Sequence, residues 1–317
     1  MFALRGVTVS LATFFVVYCA SSLAVCVGWR AIRRWARHLP MRRLADLLFA
    51  VRMVPFVLAA IATTVFTVPS FLLLEPREID EPMGAFPLAL GLCGAAIAIY
   101  GLANAIIAMV RAERTITSWT YRAKRIPSPL DVPVFRIEPV APAMTAAGII
   151  HPRIMVSGTA ESLLAAGELQ TALHHELAHV RRRDNLKKLL LRGVAYPGMS
   201  GLEAAWLEAT EMAADDVAVS SHSEALDLAA ALIKLSRLGP MEPRAADLMM
   251  ALIHRPASVI NARIERLLAW TETRNVQTQV FSCWYGLAAA LSTVAIFAIT
   301  YSQLLVRVHT ATEWLVR

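Results

Sequence analysis

The chain has 317 residues, of which 57% are hydrophobic and only 17% charged, with a formal net charge of +7. Ordinary globular chains are roughly 45–50% apolar and about 25% charged, so this composition excludes a purely soluble protein and a disordered one. The apolar excess falls in four blocks without Asp, Glu, Lys or Arg: Val7–Trp29, Met53–Leu74, Pro87–Val110 and Val280–Val306. Each exceeds the roughly 20 residues a helix needs to cross the hydrocarbon core of a bilayer.

Val7–Trp29 differs from a cleavable signal peptide. Its apolar run exceeds the roughly 7–15 residues of a signal core, and its stronger positive flank comes after it. It reads as a retained anchor. The link Arg30–Arg52 carries Arg30, Arg33, Arg34, Arg37, Arg42, Arg43 and Arg52 against Asp46 alone. The link Glu75–Phe86 carries Glu75, Glu78, Asp80 and Glu81 against Arg77 alone. The positive-inside rule puts the first link in the cytosol and the second outside. Both termini are then outside, and Arg111–Gln279 is cytosolic, consistent with Arg111, Arg114, Arg122, Lys124 and Arg125 at its start. The expected location is the inner (cytoplasmic) membrane, multi-pass, with the lipid bilayer as a partner. The arginines have no aromatic or glycine-rich companions of the nucleic-acid type, so direct nucleic-acid binding is not expected.

The expected organisation is a three-span region (residues 1–110), a cytosolic domain (111–279), and a fourth span with a short outside tail (280–317). Cys19, Cys26, Cys93 and Cys283 all fall in proposed spans, which excludes a disulfide framework and a thiolate metal site. In the cytosolic segment, Val132–Val140 alternates but is interrupted by prolines, which predicts an edge strand or extended chain. Ile149–Ser157 also reads as extended. From Glu161 the apolar positions Leu163, Leu164, Leu169, Leu173, Leu177 and Val180 recur at helical spacing. Pro197-Gly198 breaks the run. Helices are expected over about Ser200–Ser220, Glu224–Leu238 and Asn261–Trp270.

The chemistry lies in His175-Glu176-Leu177-Ala178-His179. On a helix, positions i and i+4 share a face, so both imidazoles can reach one Zn²⁺ ion. Glu176 can then serve as general base toward a water at the metal without being a ligand. Catalytic zinc takes three protein ligands and keeps one position open. Glu211 is the candidate third ligand, with Glu208 and Glu203 as alternatives on the same helix. Asp215, one turn after Glu211, can accept the other ring N–H of a ligand histidine. Ala213 and Ala214 leave room for two helices to approach closely. His174 has no partner at i+4 and reads as structural. Arg181, Arg182 and Arg183 read as a solvated face, as contacts to anionic lipid, or as partners of Asp184.

The stretch His174–Asn185 resembles the zinc signature of the BlaR/MecR-type integral membrane metallopeptidases, relatives of HtpX and the CAAX prenyl proteases. The motif Glu211-x-x-Ala-Asp215 is similar to the third-ligand motif of both groups. The layout of three spans, an insert and a fourth span is also similar to BlaR/MecR. The resemblance implies a mainly α membrane protein with four transmembrane helices and an α+β, gluzincin-like metallopeptidase domain inserted between the third and fourth. It implies that His175, His179 and Glu211 bind zinc and that Glu176 is the catalytic base. It further implies that the extended stretch near Ala147–Ser157 is the edge strand preceding the zinc helix, which would hold substrate backbone by strand addition. His254, in His254-Arg-Pro256 ahead of Arg263-Ile264, would stabilise the transition state. BlaR/MecR proteins carry a penicillin-binding sensor domain after the fourth span; only a short tail is expected after this one, so the activating signal would come from a separate sensor protein, the membrane, or Glu75–Phe86.

The expected activity is zinc-dependent endopeptidase cleavage of a polypeptide on the cytosolic side. In regulatory proteolysis the substrate would be a cytosolic repressor or a membrane protein. An HtpX-like quality-control protease is the nearest rival. A non-catalytic receptor or scaffold with a structural metal site is the rival from another class.

Overall fold

The computed structural model describes residues 2–76, 84–121, 123–137, 143–194, 196–238, 250–251, 257–270 and 300–312. Three described helical stretches are long and apolar enough to cross a membrane: Phe2–His38, Met41–Leu74 and Ala85–Thr120. They correspond to α1 (Phe2–Trp35), α2 and α3 (Met41–Ile61 and Val68–Leu74, joined through a π-helical turn), and α4 (Ala85–Thr120). The helices run well past the uncharged blocks. The arginine-rich link is helical on both sides of Leu39-Pro40. Leu39, held extended before proline (φ −71°, ψ 147°), ends one helix and lets the next begin at Met41. Most of the fourth apolar block lies outside the described residues. Residues 300–312, at its end, are helical.

The chain forms two compact units: Met1–Gly28 with Met53–Tyr100 and Asn275–Arg317, and Trp29–Arg52 with Gly101–Arg274. In the first unit, α4 meets α1 backbone to backbone. A Cβ at Gly94 would stand 2.3 Å from the Leu11 carbonyl oxygen. Small residues at such crossings are how apolar helices pack when lipid offers no hydrophobic drive. The Tyr301 hydroxyl donates to the Val65 carbonyl, within the π-helical turn, at 2.7 Å.

The second unit holds a five-stranded mixed sheet in the order β1-β2-β4-β3-β5: β1 (Lys124–Ile126), β2 (Val134–Ile137), β4 (Arg153–Ser157), β3 (Met144–Ala147) and β5 (Met250–Ala251). Among the described strands, only β2 and β4 run parallel. Gly148, at φ +89°, turns β3 into β4. Two extended stretches fall differently from expectation. β2 is internal, between β1 and β4, because Pro133 precedes the paired residues and does not interrupt them. The stretch near Ala147–Ser157 is not one edge strand. It contains the end of β3, a turn, and β4, which is internal with partners on both sides.

Helices follow the sheet: α5 (Gly158–Leu163), α6 (Ala166–Arg181), α7 (Asp184–Gly193), α8 (Ser200–Ala218), α9 (His222–Ser236) and α10 (Ala257–Leu268). One sheet face, with Val134, Met144, Ile154 and Val156, buries against Leu177 of α6 and Leu228, Leu232 and Leu235 of α9. Each such aliphatic contributes roughly 1.5–3 kcal/mol on burial. The other face, with Ile137, Ala147 and Met155, packs on Ile116 and Trp119 near the end of α4. The sheet is thus covered on both sides, and α6 is fixed between it, α8 and α9.

Candidate metal centre

α6 starts where Glu168 reaches back and accepts from the Ala165 N–H at 2.8 Å, satisfying an otherwise free amide of the first turn. The same carboxylate takes Lys234 Nζ from α9 at 2.7 and 2.8 Å. Burial alone would raise the Glu168 pKa. The lysine and the amide outweigh it and hold the group below its ordinary value.

Further along α6, His175 and His179 lie one turn apart on the buried face, with their Nε2 atoms 3.1 Å from each other. Ala213 and Ala214 on α8 are fully buried at the approach of the two helices. Glu211 comes in from α8, its Oε2 3.6 Å from His175 Nε2 and its Oε1 3.9 Å from His179 Nε2. One ligand-type atom from each of His175, His179 and Glu211 lies within 4.8 Å of the others, a group that could hold a metal ion. The two alternatives on α8 are engaged elsewhere. Glu203 pairs with Arg52 at 3.0 Å and Glu208 with Arg33 at 2.9 Å.

Each imidazole has its own carboxylate behind it. His179 Nδ1 is 2.9 Å from Asp184 Oδ2. His175 Nδ1 is 3.0 Å from Asp215 Oδ1, close enough for a strong charge contact but off the line of a straight hydrogen bond. A carboxylate behind each Nδ1 favours the tautomer with the ring hydrogen there, and in that tautomer the Nε2 lone pairs face one another and the Glu211 carboxylate. Without a cation between them, that arrangement is repulsive.

The charge balance points the same way. Glu176, Asp184, Glu211 and Asp215 are all buried to 1% exposure or less; Arg263, equally buried, meets Glu211 and Asp215, and Arg182 lies 3.5 Å from Asp184. Arg263 donates Nε and Nη2 to Asp215 at 2.8 and 2.6 Å and Nη1 to Glu211 at 2.9 Å. Burial would raise the Asp215 pKa, but the Arg263 charge and the His175 contact bring it down to about 2. Burial would depress His175, and Asp215 and Glu211 reverse this to a net rise.

Glu176 is next to His175 but turns toward the sheet. Its Oε2 accepts from the Ala146 N–H of β3 at 2.6 Å, and its Oε1 has no hydrogen-bond partner among the described residues. Burial pushes its pKa from 4.5 to about 7; the Glu211 charge adds to the rise, while the His179 ring, the Ala146 amide and Arg263 oppose it. Asn185 ties β3 to the same place, donating Nδ2 to the carbonyls of Ala146 and Gly148 at 3.0 and 3.3 Å. A cleft of about 290 Å³, lined in part by Gly148, Ile149, His179, Val180 and Leu186, opens beside His179.

The structure thus brings together His175, Glu176, His179, Glu211 and Asp215. His254 lies outside the described residues. Sequence reasoning missed the roles of Asp184, Asn185 and Arg263. Arg263 had a usable signal, since it interrupts the apolar stripe Ile260–Ile264–Leu267 of α10, where a charge is costly without a buried partner. No protein-family model matches the sequence, and no curated protein matches it.

Proposed function

We propose that the chain is an integral membrane zinc endopeptidase of BlaR/MecR-like type, with four spans and a gluzincin-like domain facing the cytosol. The observation that carries this reading is Glu176: one carboxylate oxygen is pinned by the Ala146 amide and the other is free, beside a buried His175–His179–Glu211 cluster. The donor set fits the metal. Two imidazole nitrogens and one carboxylate, without cysteine, are a catalytic zinc set that leaves one position open. When bound, the ion supplies a Lewis acid that polarises the scissile carbonyl and makes water more acidic.

The chain's own residues do the rest. Asp184 and Asp215 orient the two rings. Arg263 orients the Glu211 carboxylate and balances its charge. Glu176 Oε1 accepts the proton of the attacking water and returns it to the leaving amine. The cleft of about 290 Å³ admits the substrate chain beside His179. A structural-site scaffold is disfavoured because such sites are usually four-ligand and often cysteine-rich.

In the regulatory form of this proposal the substrate is a cytosolic repressor or a membrane protein; the rival is membrane quality control. The test is a proteomic comparison of cells carrying wild type and Glu176→Gln. Peptidase action predicts fragments that vanish in the variant while metal content is kept. Identical fragment patterns under every stress applied would remove the proposal. A repressor-sized target supports signalling, and many unrelated membrane fragments support quality control.

A further inference from the structure

A second cavity lies away from the metal cluster, where the end of α1 and the start of α2 meet α8. It has a volume of about 580 Å³, within the roughly 300–1,000 Å³ range of small-molecule sites. Arg30, Arg33, Arg34 and Arg37 line it, against Glu208 as the acidic group in its wall. Arg33 is held by Glu208 at 2.9 Å, and the Arg30 guanidinium lies 5.2 Å over the ring of buried Trp29. Among the described residues, no acidic partner faces Arg30, Arg34 or Arg37. The floor is apolar: Met41 and Leu44 from α2, and Ala205, Ala209 and Met212 from α8.

We propose that this cleft binds the phosphate headgroup of an anionic phospholipid, with the start of an acyl chain on the apolar floor. Guanidinium groups match phosphate oxygens in pairs, and a crown of them with little acidic opposition selects an anion. The floor distinguishes a lipid from free phosphate, which gains nothing from Met41, Leu44 or Met212. Position distinguishes it too. The cleft is at the end of a helix long and apolar enough to cross a membrane, among the arginines that follow its apolar stretch. Glu208 and Met212 of the cleft flank Glu211 on α8, so a bound headgroup fixes the helix that supplies the carboxylate of the metal cluster. The site depends on the membrane location of the chain and not on its being a peptidase.

The test uses the full chain in phosphatidylcholine nanodiscs, with lipid retention read by native mass spectrometry. Phosphatidylglycerol should be retained over phosphatidylcholine by about tenfold or more. Arg34→Gln with Arg37→Gln should abolish this preference. Arg42→Gln with Arg43→Gln removes the same charge from exposed arginines outside the cleft and should preserve it. Millimolar inorganic phosphate should not displace the lipid. Equal loss in both double variants would reduce the effect to diffuse surface charge and overturn the site. So would absence of a phosphatidylglycerol preference, or displacement of the lipid by inorganic phosphate.

Discussion

His179 and Asp184 meet at 2.9 Å because Arg183 between them adopts a left-handed conformation, φ 54° and ψ 40°. It is the sole non-glycine residue with positive φ among those described. α6 ends at Arg181, Arg183 reverses the chain direction, and Asp184 opens α7 pointing back at the ring. A backbone conformation that L-residues avoid thus serves the orientation of a candidate metal ligand.

Arg183→Val should destabilise the chain by roughly 1–2 kcal/mol, because a β-branched side chain is worst suited to this conformation. Arg183→Gly should leave stability within about 1 kcal/mol of wild type. Denaturant unfolding of the detergent-solubilised chain checks both, and equal effects of the two substitutions would contradict the strain argument.

Asp184→Asn keeps the size of the side chain but removes its charge from behind His179. Zinc affinity should fall about 10–100-fold with the fold retained. Competition titration against a chromophoric chelator reads the change. An unaltered affinity would show that Asp184 serves only the turn.

Arg263→Met leaves Asp215 and Glu211 as buried carboxylates without their cation. Breaking a buried pair in this way costs about 3–5 kcal/mol. The loss should be largest in metal-free protein and shrink when zinc is added, since a divalent ion offsets the same charge. A metal-independent loss would mean that Arg263 acts by packing alone.

The pair Glu168–Lys234 gives a pH dependence. The Glu168 pKa is lowered on folding, so its stabilisation is complete above the ordinary carboxylate value and is lost as pH falls through the lowered one. Lys234→Met should therefore lower the unfolding midpoint at neutral pH. Its midpoint should converge with that of wild type in acid. Parallel curves throughout would place the effect of the lysine elsewhere.

Helical periodicity made most helices of the second unit readable from residues. The spacing of His175 and His179 encodes a shared face directly, and the break at Pro197-Gly198 marks the boundary before α8. The three described helices long and apolar enough to cross a membrane were legible on other grounds, as blocks without charge. Sheet order was not. Whether β2 is an edge depends on where β1 and β4 lie, which alternation along β2 alone does not encode. The partners Asp184 and Arg263 were missed for different reasons. Asp184 depends on one unusual dihedral, and Arg263 reaches Asp215 across 48 positions of chain. Local pattern carries neither kind of information.

The metal content of the purified full chain tests the ligand assignment most directly. Plasma mass spectrometry of wild type, Glu211→Ala and Glu208→Ala should find a single zinc ion per chain in the first and third and almost none in the second. A wild-type chain without metal, or zinc retained equally after Glu211→Ala, would contradict the assignment of His175, His179 and Glu211 as its ligands.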